Sequence, residues 1–456
     1  MPRFQNMVTL YAMSDTWKQV GQATVLAVAL FVAWTPAVSR AEGPVNLYDW
    51  IADLNTNNKR IKSEAANVAK AESDVQVARG DWFPELDTTA SYGYEDQQKG
   101  EGVADTTLQP RVLDLTLTQK VYDFGGTNAL IRAARLEQER AEVNQVAVRQ
   151  SVIGEGVRAY LNLLRAQKLL NFSKASVENI KRQSALEDAK VDRGSGFSTD
   201  VLQAKRQLAG AEARRVRAEG RLKTAVNRFL AVFGELPPNV KMMIQPAPPI
   251  DLLPPTLPEA VDMAMKENPE LLSAALQAQI QRASIDSTRS SSFFPEVNAI
   301  GVLKKENDVS GTVGHKTTSS VRIELTYNLN LGMTAVDTLK AAKQDHLSTE
   351  YLYGDARDRI EERVRSAWSR LETARLNAQF LNNQANIASE FLELARRERA
   401  LGNRSLIDVL TGETELINAT SDATSAEIDA AIAVYDLLTA MGRLELDVIP
   451  QSKKRS

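Results

Sequence analysis

The sequence predicts a mainly helical, internally duplicated chain in which long antiparallel coiled-coil helices alternate with four short β-strands. Three observations predict it. Two landmarks recur at nearly one offset. Phe83-Pro84-Glu85-Leu86 returns 211 residues later as Phe294-Pro295-Glu296-Val297, and Gly194…Asp200-Val201-Leu202 returns 208 residues later as Gly402…Asp408-Val409-Leu410; such self-similarity marks a repeated unit. Ile360, Val364, Ala367, Leu371, Ala374, Ala378, Leu381, Ala385, Ala388, Leu392 and Ala395 alternate steps of four and three, the 3.5-residue period of a left-handed coiled coil. Segments of period-two alternation interrupt the helical stretches in both halves.

Composition bounds what such a chain can do. With 456 residues, 43% hydrophobic and 25% charged, there is apolar material for a core, and 55 basic against 58 acidic residues argue against a nucleic-acid partner. The absence of cysteine excludes thiolate metal sites, thiol nucleophiles and disulfides.

At the N-terminus, Lys18 precedes an apolar run from Ala23 to Trp34, too short to span a bilayer, and Ser39-Arg40-Ala41 offers small residues at −3 and −1. Residues 1–41 therefore read as a cleavable signal peptide with a long leader, so that Met7 or Met13 is an alternative start. No later segment reaches the ~20 apolar residues of a membrane-spanning helix.

The first repeat occupies residues 42–235 and opens with a helical run. Two alternating segments follow: Leu86, Thr88, Ala90, Tyr92 and Tyr94 share one face, as do Leu113, Leu115, Leu117 and Val121. A long helix then runs from about Thr127 to Val191, on the order of 95 Å at 1.5 Å per residue. It keeps the coiled-coil stripe of the second half at an offset of 208, through Val152, Gly156, Ala159, Leu163, Ala166, Leu170, Ser173, Val177 and Ile180. Many of these seats are small, so neighbouring helices approach closely. Gly194-Ser195-Gly196 turns the chain, and a return helix runs from Ser198 to about Val232, opened by a cap-type residue and Asp200.

Pro246, Pro248, Pro249, Pro254, Pro255 and Pro258 crowd the middle, and residues 236–257 are the linker. The second repeat, 258–441, copies the order: Val297, Ala299 and Gly301, then Val321, Ile323, Leu325 and Tyr327, as strands; a long helix from Thr334 to Ala400; the corner Gly402-Asn403; and a return from Ser405 to Met441. Residues 442–456 form a tail.

Two readings of the strands stand open. Each pair is either an ordinary hairpin packed on a helix or a pair of tilted membrane strands, which need about ten residues. The tips, Asp96 to Gly102 and Lys304 to Lys316, are long, polar and glycine-bearing, as external loops of a barrel are. Four strands cannot close a barrel, for which about eight is the minimum, and an open edge in lipid leaves backbone groups unpaired. Membrane strands would then have to be pooled by several chains, and three chains would supply twelve.

The leader, the duplicated helix–strand–strand–helix–helix order, the two Phe-Pro-Glu words, Val121-Tyr122-Asp123-Phe124-Gly125-Gly126 entering the first long helix and the Gly…Asp-Val-Leu corners together resemble the TolC-like outer-membrane efflux and secretion proteins, over roughly Leu47 to Leu446. The resemblance implies a homotrimeric channel-tunnel in a Gram-negative outer membrane. It would have a twelve-stranded barrel in outer-membrane lipid and a twelve-helix tunnel in the periplasm, with the linker and tail forming an equatorial belt. Its partners would be an inner-membrane transporter, ABC-type or proton-driven, and a periplasmic adaptor (membrane fusion) protein docking below.

The resemblance also implies site residues. Family members carry Gly-x-Arg-x-x-x-Asp-x-x-Asp at the second corner, whose acids ring the periplasmic entrance and whose arginine ties to a Thr-Asp pair at the first corner. Gly402, Arg404 and Asp408 match, as do Thr199 and Asp200. Thr411 replaces the second acid, with Glu413 close by, and Arg399 stands at the position of a latch tyrosine. The plainer alternative is that Asp408 and Asp200 only favour helix N-termini, by about 0.3–1 kcal/mol each.

No catalytic, cofactor or metal constellation is expected. His315 and His346 have no metal-ligand spacing, Gly194-Ser195-Gly196 lacks the Gly-Lys-Ser/Thr of a phosphate loop, and acids such as Glu361-Glu362 sit among arginines. A periplasmic coiled-coil adaptor or scaffold without a pore is the second functional reading; it accounts for the heptads but not for the duplicated strands. Small toxic compounds and unfolded secreted proteins are both admissible cargo, and the resemblance inclines towards protein secretion driven by an ATP-hydrolysing transporter.

Overall fold

The computed structural model describes residues 46–195, 197–237, 239–329 and 331–450. The leader read at 1–41, Gly196 of the first corner and the last six residues lie outside them. The elements run α1 (Leu47–Asn57), α2 (Lys59–Gly80), β1 (Glu85–Tyr92), β2 (Glu95–Gln97), β3 (Thr106–Leu108), β4 (Arg111–Tyr122), α3 (Gly126–Asp192), α4 (Ser198–Phe233), α5 (Leu257–Glu267), α6 (Pro269–Phe293), β5 (Glu296–Asn307), β6 (His315–Thr326), α7 (Thr334–Ala400) and α8 (Leu406–Met441). The two long helices have 67 residues each and the two returns 36 each. The long helices are therefore roughly 100 Å in length.

The single helical run expected ahead of each strand pair is broken in two by an asparagine. Asn58 and Asn268 accept the backbone N–H two residues on, at 2.8 Å from Arg60 and 2.9 Å from Glu270, and so cap a new helix. Thr256 caps α5, its hydroxyl accepting the Glu259 N–H three residues on, with Pro258 in the first turn, where a missing N–H costs nothing. The last proline of the central cluster thus lies in the first turn of a helix.

Contacts arrange the helices as four columns. Near the strands the order is α2–α3–α6–α7; at the far end it is α4–α3–α8–α7. The first and third columns are stacked from two helices, whereas α3 and α7 run through. The sheet continues the same order, β1–β4–β5–β6, all antiparallel. Where the stacked helices meet, α1, α5 and the linker and tail residues Met243, Leu444 and Ile449 wrap α3 at Val152 to Leu164 and α7 at Ala356 to Leu371, burying Trp50, Tyr160, Phe229 and Tyr435 in one core. A Cβ on Gly156 would lie 2.6 Å from Ile51 and 2.7 Å from Leu54, so that seam seat is small because α1 packs directly on it.

Register gives the four-stranded sheet two unlike faces. Leu86–Leu117–Gly301–Val321 and Thr88–Leu115–Leu303–Ser319 lie across one face, with Ile323 and Leu325 continuing it. Asp87–Thr116–Val302–Ser320 and Thr89–Asp114–Lys304–Thr318 cross the other, which carries the ion pairs Lys304–Glu306 (2.9 Å) and Arg322–Glu324 (3.1 Å). β1 and β6 are the edges, and every residue of β1 is exposed. A bulge between Lys120 and Tyr122 makes Tyr122, not Val121, oppose Val297. The expected loop from Lys304 to Lys316 is shorter than its sequence suggests, because pairing continues to Asn307↔His315. The two tips touch: Ser310 N–H donates to Glu95 Oε2 (3.2 Å) and Lys99 Nζ to the Gly311 carbonyl (3.3 Å).

Candidate functional site

The two corners at the far end of the columns close in one geometry. Gly194 N–H donates to Val191 O (2.9 Å) and Ser195 N–H to Lys190 O (3.0 Å); Gly402 N–H donates to Arg399 O (2.9 Å) and Asn403 N–H to Glu398 O (3.0 Å). This pair of bonds needs a left-handed residue, and Gly194 (φ +73°) and Gly402 (φ +81°) supply it. The returns start differently. Ser405 caps α8, its hydroxyl accepting Asp408 N–H at 3.3 Å, as the sequence suggests. Ser198 is already inside α4, and the exposed Phe197 stands at the cap without a side-chain bond.

Asp408 is exposed in the first turn of α8, and among the described residues no side chain pairs with it. Thr199 is exposed and Asp200 half-buried in the first turn of α4. Arg404 does not reach them within the protomer: its Nε lies 2.9 Å from Glu398 Oε2 and its guanidinium sits 5.3 Å from the Phe391 ring. Glu413 is 4% exposed and salt-bridged to Arg396, with Asn179 Nδ2 at 3.5 Å. It is a buried tie between α3, α7 and α8 rather than a second free acid beside Thr411.

A second tie was missed from sequence. Arg399 Nη2 lies 2.5 Å from Glu187 Oε1, joining α7 to α3, and Lys190 Nζ lies 2.9 Å from the same oxygen. Burial pushes the Glu187 carboxyl up, but hydrogen bonds and charge from Lys190 and Arg399 outweigh it and hold it below the usual carboxylate range. The signal was available: Glu187 stands 208 residues before Ala395, a buried seam seat. A charge in such a seat calls for a partner.

Acids also recur every seven residues along α8, at Asp408, Glu415, Asp422, Asp429 and Asp436. The coiled coil keeps them on one face. The two nearest the core are neutralised from α3, Asp436 by Arg158 at 2.8 Å and Asp429 by Arg165. Among the described residues the three nearer the corner have no ion-pair partner.

Comparison with known proteins bears on what this arrangement does. The family model described as outer membrane efflux protein matches residues 50–235 and 260–443. The outer membrane efflux protein BepC of Brucella suis is 23% identical over 426 residues, covering 93% of this chain and 91% of BepC. The alkaline protease secretion protein AprF of Pseudomonas aeruginosa is 23% identical over 76% of this chain and 71% of its own length. The crystal structure of the Campylobacter jejuni CmeC outer membrane channel superposes with a TM-score of 0.76 at 18% identity, over 88% of this chain and 86% of CmeC.

Proposed function

Because the chain belongs to the outer membrane efflux protein family, we propose that three copies pool their strands and helices into one passive exit duct across the outer membrane and periplasm, whose narrow entrance is formed by the two corners. The observation that carries this reading is the sheet: one face apolar, the other polar and ion-paired, with both edge strands unpartnered. In lipid such edges must be paired, and three four-stranded sheets make a twelve-stranded barrel with the polar face lining the lumen. The pore-less adaptor reading has no use for this sheet and is set aside by the family. Membership, too, places the chain among channels rather than enzymes. The segments matched by the family model are read as the two repeats, with the linker and tail between and after them as the belt.

In that assembly Asp408 faces the lumen at the entrance, with Glu415 and Asp422 on the same helix face above it. Thr199 and Asp200 stand opposite on the first corner. Three symmetry-related carboxylates per tier repel one another and attract cations. The bridges Arg399–Glu187 and Arg396–Glu413–Asn179 hold the α7/α8 pair against α3 and so keep the entrance closed. An adaptor and an inner-membrane transporter would open it and choose the cargo; the names BepC and AprF span efflux and protease secretion, and protein secretion is the favoured use here. Reconstitution in planar bilayers tests the entrance assignment. Native pores should be cation-selective and blocked by multivalent cations from the periplasmic side, and Asp408→Ala should weaken both; unchanged selectivity and block would remove Asp408 from the lumen.

A further inference from the structure

Midway along α4, Arg214, Arg217 and Arg221 lie on one side of the helix at spacings of three and four, where like charges repel. Together they line a cavity of about 320 Å³ whose remaining walls come from α3, through Ser173, and from α8, through Asn418 and Asp422. Among the described residues no carboxylate pairs with any of the three. Arg215, between them in sequence, is by contrast held by Glu212 at 2.8 Å and Glu219 at 2.5 Å. The helix therefore satisfies the arginine that points away and leaves the cavity-lining ones without counter-charge. Nη2 of Arg214 is shielded from solvent with no hydrogen-bond partner. A buried guanidinium N–H left unmade is costly. Burial, helped by the neighbouring Arg217 charge, pushes the Arg214 pKa below its usual value, as expected of a cation lacking its anion.

We propose that this cavity is a binding site for an oxyanion, a phosphate or carboxylate group, held by the guanidinium forks of Arg214 and Arg217 with Arg221 at its rim. Planar guanidinium groups match such anions bidentately, Ser173 and Asn418 add neutral donors, and the volume falls within the range of small-ligand sites. Asp422 is the single opposing charge on the wall and limits affinity. Because Asp422 shares a helix face with Asp408, the cavity opens to the side that the channel reading gives to the lumen, and this part of the proposal rests on that reading. A cation-attracting entrance would then lead to a station for anionic groups about 20 Å further up α8, two heptads at 1.5 Å per residue.

Calorimetric titration of the full-length, detergent-solubilised protein with inorganic pyrophosphate in metal-free buffer tests it. One saturable site per chain is expected. Arg214→Gln and Arg217→Gln should each weaken it at least about tenfold. Arg206→Gln, which removes the same charge from the same helix outside the cavity, should change it little, and Asp422→Asn should tighten it severalfold. The last variant removes no cation, so it stays informative even where loss of an arginine perturbs folding. Absence of saturable binding, or binding indifferent to Arg214, Arg217 and Asp422 alike, overturns the site. Conductance separates the two readings: native pores that conduct but bind no pyrophosphate overturn the site alone, whereas chains that bind it and form no pore overturn the duct.

Discussion

Glu187 shows how one residue out of place in a repeat becomes legible. Ala395, its counterpart, is a buried seam seat, and a carboxylate there is tolerable only because Arg399 and Lys190 reach it. Lys190 is half in solvent and contributes little; the Arg399 bridge carries the tie. The Glu187 carboxyl is held below the usual carboxylate range, so the bridge is intact at neutral pH and its contribution is lost only as pH falls through that depressed value. A hydrogen-bonded charge pair contributes about 1.5–3 kcal/mol, and its loss should shift the closed-to-open balance roughly ten- to hundredfold towards open. Glu187→Gln should accordingly raise single-channel open probability at pH 7 and abolish the further rise that acid produces in the native pore. If the variant kept the native acid response, the gate would lie elsewhere. The sequence made Asp408 and the corners visible because they sit in recurring words. It concealed the partners of Arg404, since Glu398 and Phe391 lie further back on α7, and pairing across a corner is set by packing.

At the scale of the element, period and punctuation carried the reading. The seam at Ile360 to Ala395 and its copy at Val152 to Ile180 both face inward, and the helix ends fall where a left-handed glycine closes the turn. What stayed hidden was local hydrogen-bond chemistry: the asparagine breaks at Asn58 and Asn268, the bulge beside Tyr122, and strands that outrun their polar sequence into Asn307 and His315. In each case pairing or capping satisfies backbone groups that side-chain polarity alone would have assigned to a loop. Asn268 repays attention for another reason. It donates to the Ala440 carbonyl at 2.9 Å, and Gly442 ends α8 directly against it, with φ +78° and space for a Cβ only 2.7 Å from Asn268 Cα. Both the backbone conformation and a rigid backbone neighbour forbid a side chain. Gly442→Ala should therefore cost at least about 2 kcal/mol, from left-handed strain plus overpacking, seen as a lowered thermal midpoint of the detergent-solubilised protein. Gly156→Ala, which meets the side-chain ends of Ile51, Leu54 and Phe233 and no backbone atom, should cost less. Equal losses would mean that the α8 end can shift away from α6.

Taken as one third of the proposed duct, the chain has open flanks that agree at the level of strands and of helices. The first column, β1, α2 and α4, and the last, β6 and α7, each have an open flank. On α7 that flank is apolar at coiled-coil spacing: Leu376, Phe380, Ile387 and Leu394 are 56–66% exposed. On α4, Leu202, Val216 and Leu230 recur every fourteen residues and are likewise exposed. Contiguous apolar stripes of this kind mark an interface. Closing three chains edge to edge would set α4 of one against α7 of the next while joining β1 to β6, so helices and strands call for the same neighbour. Burying a phenylalanine is worth about 1.5–3 kcal/mol, and three equivalent interfaces multiply the effect. Phe380→Glu combined with Leu394→Glu should leave monomers by light scattering in detergent, because two carboxylates would be buried without partners, whereas Phe380→Leu, which keeps the stripe apolar, should leave the trimer intact. A doubly charged variant that still ran as a stable trimer, with a threefold ring in electron micrographs, would show that α7 is not the seam, and the columns would then have to close in some other order.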